Sequence, residues 1–183
     1  MANKAYGAGI RHAELKNALA EVVDVEAVVN SEASMAIEST EIKGDDEVKV
    51  TFYQSQKAEI TLEANALSLD AIEIISGTSI DAVTGPPTAN EIAIGTDGET
   101  NPPFIEITTQ TIAKDVSTGT IVTVEIVYHK VQLMLDNITQ ALESELPQNI
   151  KGTAYKTDKD VEGNALASKR IATVRIVDAD TTA

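Results

Sequence analysis

No cysteine and no tryptophan occur in this chain of 183 residues. Without cysteine there are no disulfides, no thiolate metal sites and no cysteine nucleophile. Aromatic residues make up only 3% of the chain, so a core has to be filled by Val, Ile, Leu and Ala. The β-branched members of that set suit a pleated sheet. Long apolar runs are missing too, and nothing is long enough to cross a bilayer. Lys4, Arg11, His12, Glu14 and Lys16 interrupt the start of the chain, where a secretion signal would need an apolar segment. The expectation is a soluble protein made in the cytosol, with no membrane partner. Positive charge is scarce as well: 14 Lys and Arg stand against 29 Asp and Glu, a net of -15. Such a field repels nucleic acid and anionic membranes. It serves solubility alone, or it belongs to a surface that must stay close to a polyanion without sticking to it. Composition is compatible with both.

Catalytic constellations are equally absent. The two histidines, His12 and His129, fall in separate segments, and a lone strand histidine is ordinarily packing or surface unless partners converge on it. No Gly-x-Ser-x-Gly elbow is present. Gly7-Ala8-Gly9 is too little for a phosphate loop, and no His/Asp cluster has metal spacing. Thr96-Asp97-Gly98-Glu99 is a turn lacking the repeated acidic positions of a calcium loop. Acidic pairs such as Glu59/Glu63, Glu143/Glu145 and Asp158/Asp160 come easily in so acidic a chain and read as solvated faces. The reading is of a protein that is not an enzyme and needs no cofactor or metal.

The clearest signal lies between Lys57 and Gly77. Ala58, Ile60, Leu62 and Ala64 alternate with Glu59, Thr61 and Glu63, the period of a strand with one wet, acidic face. The period then changes. Ser68 suits an N-cap, Asp70 falls in the first turn, and Leu69, Ile72 and Ile75 recur until Gly77, which predicts a short helix lying on a sheet.

The rest reads as strands and turns within a single domain, 1–183. Residues 1–21 suggest a loose N-terminal arm, with a helical turn or two over 13–21. Residues 22–29 alternate as a strand, with Val23, Val25, Ala27 and Val29 on one face. Residues 35–43 and 47–56 flank Gly44-Asp45-Asp46 and predict a long hairpin, 34–56, amphipathic over only part of its length. Such a hairpin is solvated or packs on a neighbouring subunit. The proline pairs at 86–87 and 102–103 make 78–103 a long loop with one short strand at 91–95. Strands follow at 104–113 and 120–134. In the second, the apolar face changes phase, which predicts a bulge or bend near 128–130. Residues 136–146 fit a helix or a strand, turn and strand. Further strands are expected at 150–156 and 170–178, with a polar turn between them and a frayed end. The absence of βαβ alternation makes the fold mainly β, an antiparallel sandwich or barrel with one short helix packed on the sheet.

The order of these features resembles the major tail, or tail tube, proteins of long-tailed bacteriophages. The residues that carry the resemblance are the hairpin from Met35 to Lys43 with its return from Val48 to Tyr53, and the strand-to-helix unit Ala58–Ala64 and Leu67–Gly77. To these are added Ile150–Tyr155 and Ile171–Val177. The resemblance spans most of the chain, is one of pattern, and favours strands over 133–142. It implies hexameric rings stacked into a hollow tube whose β-barrel lumen conducts DNA into the host. The implied location is the virion tail, assembled in the host cytoplasm. Implied partners are other copies of the chain, tape-measure, tail-terminator and baseplate proteins, a sheath protein if the tail contracts, and DNA in non-sticking passage. The net charge then acquires a purpose, an acidic lumen that does not retain DNA. Strand alternation offers Glu59 and Glu63, and further Glu38 and Glu125, as lumen-facing residues. The competing reading is a monomeric Ig-like or carbohydrate-binding β-sandwich used for adhesion. The missing signal peptide, cysteines and aromatic sugar platforms weigh against it.

Overall fold

A computed structural model describes residues 5–25, 28–44, 47–79, 81–83, 89–91, 101–115, 119–137 and 148–178. Its elements are β1 (Ala5–Lys16), β2 (Val22–Val25), β3 (Val28–Gly44), β4 (Glu47–Ala64), α1 (Leu69–Ser76), β5 (Asp81–Val83), β6 (Ala89–Glu91), β7 (Ile105–Asp115), β8 (Ile121–Asn137), β9 (Gln148–Tyr155), β10 (Thr157–Lys159), β11 (Ala165–Arg170) and β12 (Ala172–Asp178). The main sheet runs β2-β1-β7-β8-β9-β4-β3, with β12 also beside β8. Every pairing is antiparallel. β5-β6 and β10-β11 form two small separate hairpins. The fold is mainly β with one helix, consistent with a sandwich-like or barrel-like architecture, as the sequence led us to expect.

The sheet folds back on itself: β3, at one end of the strand order, comes against β1, next to the other. One face is therefore inside. Ala58, Ile60, Leu62 and Ala64 of β4 are all at most 1% exposed, and they join Leu15 of β1, Ile105 and Ile107 of β7, Val131 and Leu133 of β8, and Ile150 of β9 in a single apolar cluster. Each fully buried Leu or Ile contributes about 1.5–3 kcal/mol of transfer free energy. α1 packs on β1, β2 and β8 and completes this core.

The helix ends follow the sequence closely. Ser68 Oγ accepts from the Ala71 N–H at 3.1 Å. Gly77 closes the helix at φ 69°, donating to Glu73 O at 2.8 Å. The buried stripe differs from the expected one: Ala71, Ile74 and Ile75 point inward, while Leu69 is 37% exposed. A three-residue step drifts by about 60° at each repeat around a helix of 3.6 residues per turn. Only the i, i+3, i+4 set stays on one side.

The N-terminal segment is also corrected. Residues 5–16 are a strand paired to β2 on one side and β7 on the other, not an arm, and residues 13–21 hold no helix. Ala13 and Leu15 are fully buried, alternating with half-buried His12, Glu14 and Lys16. That is period two, which only a neighbouring sheet turns into a buried face. The chain reverses at Asn17, whose Oδ1 accepts from the Leu19 and Glu21 N–H groups at 2.9 and 3.0 Å. The single strand expected at 22–29 is two pieces. β2 pairs with β1 while β3 pairs with β4, so Val25 and Val28 belong to different strand pairs, and Val29 is left 56% exposed.

The long hairpin is present, paired from Val28↔Ala64 to Gly44↔Glu47 with register shifts between Val28 and Asn30, Met35 and Ile37, and Ile42 and Lys43. β9 pairs with β4 only over Lys57–Ala64, so beyond that point the hairpin continues as a two-stranded arm. Within 78–103, the strand expected at 91–95 starts earlier, as β6. Of the ambiguous stretch 136–146, residues 136–137 end β8; residues 92–100, 138–147 and 179–183 lie outside the described residues. The polar turn expected after Tyr155 is the β10-β11 hairpin.

The expected bulge is in β8. Ile107 pairs with Tyr128 but Ile105 with Val131, so β8 carries one extra residue at 129–130. It returns Val131 and Leu133 to the core face that Tyr128 occupies. Gly152 of β9 lies where β9 crosses close to β8. A Cβ there would run into the Gln132 carbonyl and come within 2.6 Å of Leu133 Cδ2. Gly152→Ala is expected to destabilise the fold by about 1–3 kcal/mol through overpacking against backbone. Gly163→Ala, where a Cβ meets nothing within 4 Å at φ 91°, should lose only about 1 kcal/mol of conformational preference. Urea midpoints of the two variants check the order.

Candidate functional site

The face of the sheet turned away from the core is wet over β3, β4, β9 and the second half of β8. Register builds it in rows. Ser34, Glu59, Thr153 and Gln132 lie side by side, then Glu32, Thr61, Lys151 and Met134, then Asn30, Glu63 and Asn149. Only Met134 is apolar and only Lys151 is basic. Glu59 is exposed and Glu63 half-buried. Two carboxylates four residues apart on one strand are about 13 Å apart at roughly 3.4 Å per residue. That exceeds the separation of paired glycosidase carboxylates, about 5–9.5 Å. Glu32, opposite Thr61, lies diagonally between the two, and the three carboxylates form one acidic stretch of the wet face.

The other two expected residues fall elsewhere. Glu125 lies on the same side of the sheet but in the first half of β8. Its side chain is 11% exposed, and Arg175 of β12 grips it through Nε and one terminal nitrogen at 2.6 and 2.9 Å. The fork holds the Arg175 guanidinium above its ordinary pKa. Glu125 is thus neutralised and is not a free acidic group. Glu38 pairs with Gln54 in the arm, and its side chain lies outside the described residues.

What the sequence did not reveal is a polar relay across three strands. Glu106 of β7 accepts from His129 Nδ1 at 2.8 Å, and His129 Nε2 meets Thr173 Oγ1 of β12 at 2.8 Å. Arg170 donates to the same hydroxyl at 3.3 Å. With Nδ1 protonated toward the carboxylate, the Thr173 hydroxyl donates to Nε2 and accepts from Arg170, so each group is satisfied. His129 and Glu106 side chains are 10% and 14% exposed. A hydroxyl, imidazole and carboxylate in series form the geometry of a nucleophile, its base and an orienting acid. Among the described residues a cavity of about 500 Å³ lies between the β1-β2 turn and α1, and another of that size between β3 and β7-β8. None of the three residues lines either. The relay ties β12 and β7 to β8, and the bulge at 129–130 gives His129 its place in it. His12, Glu14 and Asp24 form the grouping among the described residues that could hold a cation. Glu14 and Asp24 sit directly opposite each other across β1-β2, and His12 Nε2 bridges them at 2.9 and 3.4 Å.

The β10-β11 hairpin closes over the relay side of the sheet, where Glu162 pairs with Lys16 of β1. That contact leads the causes that raise the Lys16 pKa; burial opposes it, and Glu106 and Asp160 add to it. At Asp160 burial pushes the pKa up, but hydrogen bonds from Asn164 and from the Glu162 and Gly163 amides outweigh it and leave the pKa lowered.

No protein-family model matches the chain, and neither does any curated protein sequence. No helix among the described residues is long and apolar enough to cross a membrane.

Two measurements test these assignments. His129→Ala takes the imidazole partner from the Glu106 carboxylate and should cost about 1–3 kcal/mol in chemical denaturation. A carboxyl with a lowered pKa stabilises the fold fully above its ordinary value of 3.8, and the contribution is lost as pH falls through the folded-state value. Asp160→Asn should therefore be less stable than the parent at pH 7, by less than about 1 kcal/mol after solvent screening. The gap should close at the acid end of a pH series.

Proposed function

We propose that this chain is a structural subunit that assembles with copies of itself into stacked rings, forming the hollow tail tube of a long-tailed phage through which DNA passes. The observation that carries the reading is the wet face over β3, β4, β9 and β8, where Glu59, Glu63 and Glu32 stand among mostly neutral polar residues with two lysines, Lys151 and, in the row beyond Glu59, Lys57. A polyanion binds where cations cluster and release its counterions. A wall on which carboxylates outnumber cations disfavours phosphate binding while staying hydrated, which is what passage without retention requires. The two-stranded arm and the small helix covering the core agree with the order of features that the sequence shares with tail tube proteins. The chain's net charge of -15 fits the same role. Other copies of the chain are the principal partners. Tape-measure, terminator and baseplate proteins are the further ones this reading calls for, with a sheath protein in a contractile tail.

Negative-stain microscopy of the purified protein, alone and with assembly partners, tests the reading. Tubes or six-fold rings are expected, and a strictly monomeric species at high concentration would overturn it. Reversing Glu59 and Glu63 to Lys adds two charges at each site, taking the subunit from -15 to -11. Assembly should survive, while the tubes should begin to retain DNA in a salt-sensitive manner. Loss of assembly in that variant would assign the two carboxylates to a subunit interface instead.

A further inference from the structure

His12, Glu14 and Asp24 are brought together by the sheet and not by their spacing in the chain. His12 and Glu14 stand two apart on β1, so they share the face opposite the buried Ala13 and Leu15. The β1-β2 hairpin then sets Asp24 directly across from Glu14. The strands that carry them are firmly held. β1 is paired on both edges, Ala13, Leu15 and Val25 are buried in the core, and Asn17 closes the turn between β1 and β2. A register shift between Ile10 and His12 falls immediately before the group, and bulges of this kind re-aim the side chains beside them.

Like charges directly opposite each other destabilise a strand pair, and the neighbouring lysine is engaged elsewhere: Lys16, next on the same face, pairs with Glu162. On the β7 side, His12 and Glu14 face the uncharged Gln110 and Thr108. His12 Nε2 lies 2.9 Å from Glu14 Oε1 and 3.4 Å from Asp24 Oδ1. The second distance exceeds the range of about 2.7–3.2 Å for an N–H···O hydrogen bond, so one ring N–H serves one carboxylate only. The same distances suit neighbouring ligands of a single metal ion. Zinc bonds of about 2.0–2.1 Å to imidazole and carboxylate set ligand atoms about 2.9 Å apart at right angles and about 3.3–3.4 Å apart at the tetrahedral angle. All three ligand atoms lie within 4.8 Å of one another.

We propose that His12 Nε2 and one carboxylate oxygen each from Glu14 and Asp24 bind a divalent first-row transition-metal ion such as zinc. An imidazole nitrogen in the set favours zinc and its neighbours over magnesium and calcium, which take oxygen ligands. Three protein ligands leave a position open to water, on the side where the Asp24 side chain is 65% exposed. The ion ties β2, the four-residue strand at the end of the main sheet, to β1. None of the wet-face carboxylates takes part, so the site stands or falls separately from the tube reading.

Isothermal titration calorimetry of the full chain with zinc chloride tests the site, in added salt that screens diffuse attraction to an acidic surface. One zinc per chain is expected, with no comparable binding of magnesium or calcium. His12→Gln and Asp24→Asn should each weaken zinc binding by at least about 10–100-fold, the loss that even an outer-shell change causes. Circular dichroism checks that both variants fold, and Asp24→Asn, at the more exposed position, carries the test if His12→Gln does not. X-ray absorption of the zinc-loaded parent should show one imidazole ligand. Zinc at about a hundredfold excess over its Kd should raise the thermal midpoint of the parent by about 5–10 °C, and that of either variant by much less. No zinc binding overturns the proposal. So does zinc binding that is equally tight in a folded variant, that magnesium matches, or that shows no imidazole, since each marks diffuse attraction to acidic groups.

Discussion

The architecture depends on one strand having two neighbours on the same edge. β8 pairs with β7 over residues 121–131, but its other edge belongs to β12 over residues 122–128 and to β9 over residues 131–137. The handover takes place at 129–130, where β8 carries its extra residue. Without that residue every side chain beyond it would turn to the opposite face. Val131 and Leu133 would leave the core, and β9 and β4, which depend on β8 for their place in the sheet, would lose the surface they pack against. The bulge thus lets a single strand serve two local sheets while keeping one continuous apolar side. The His129 relay, seated at the same point, links β7, β8 and β12 where the register changes.

Two kinds of polar surface follow from this layout, and they differ energetically. Over the first half of β8, Glu125, Val127 and His129 are all nearly buried, so their polar atoms have to be matched within the protein. Glu125 and His129 are matched, by Arg175 and by Glu106 with Thr173. An unpaired carboxylate there would carry a desolvation penalty of about 1–3 kcal/mol or more. Over β3, β4, β9 and the second half of β8 the outward groups stay in water and need no such matching. One side of a single sheet therefore divides into a cross-linked region and a solvated one. The solvated region is the part free to serve as a wall, and the cross-linked region holds the edge strand in place.

Much of the central unit was legible in the residues. The alternation of β4, the Ser68 cap, the Gly77 stop and the β8 phase change are local signals, each read within a few residues, and each is present in the structure. Glu59 and Glu63 could be put on the wet side because parity along β4 is local as well. The errors arose where burial depends on a distant neighbour. Ala13 and Leu15 looked like part of an arm because nothing nearby says that β7, some 90 residues later in the chain, lies beside them.

By itself the sequence determined the strand-to-helix unit, the antiparallel character and the chemistry available: no thiols, few cations, an aliphatic core. These follow from composition and from periods of two and 3.6 residues, which need no partner to be read. Only the tertiary structure decided that Glu125 is neutralised by Arg175, 50 residues away, that His129 joins Glu106 and Thr173 across 23 and 44 residues, and that Val174 and Ile176 are left uncovered. Ion pairs, relays and free edges are properties of which strands become neighbours. Strand order is set by the packing of the whole sheet and not by any one stretch of it.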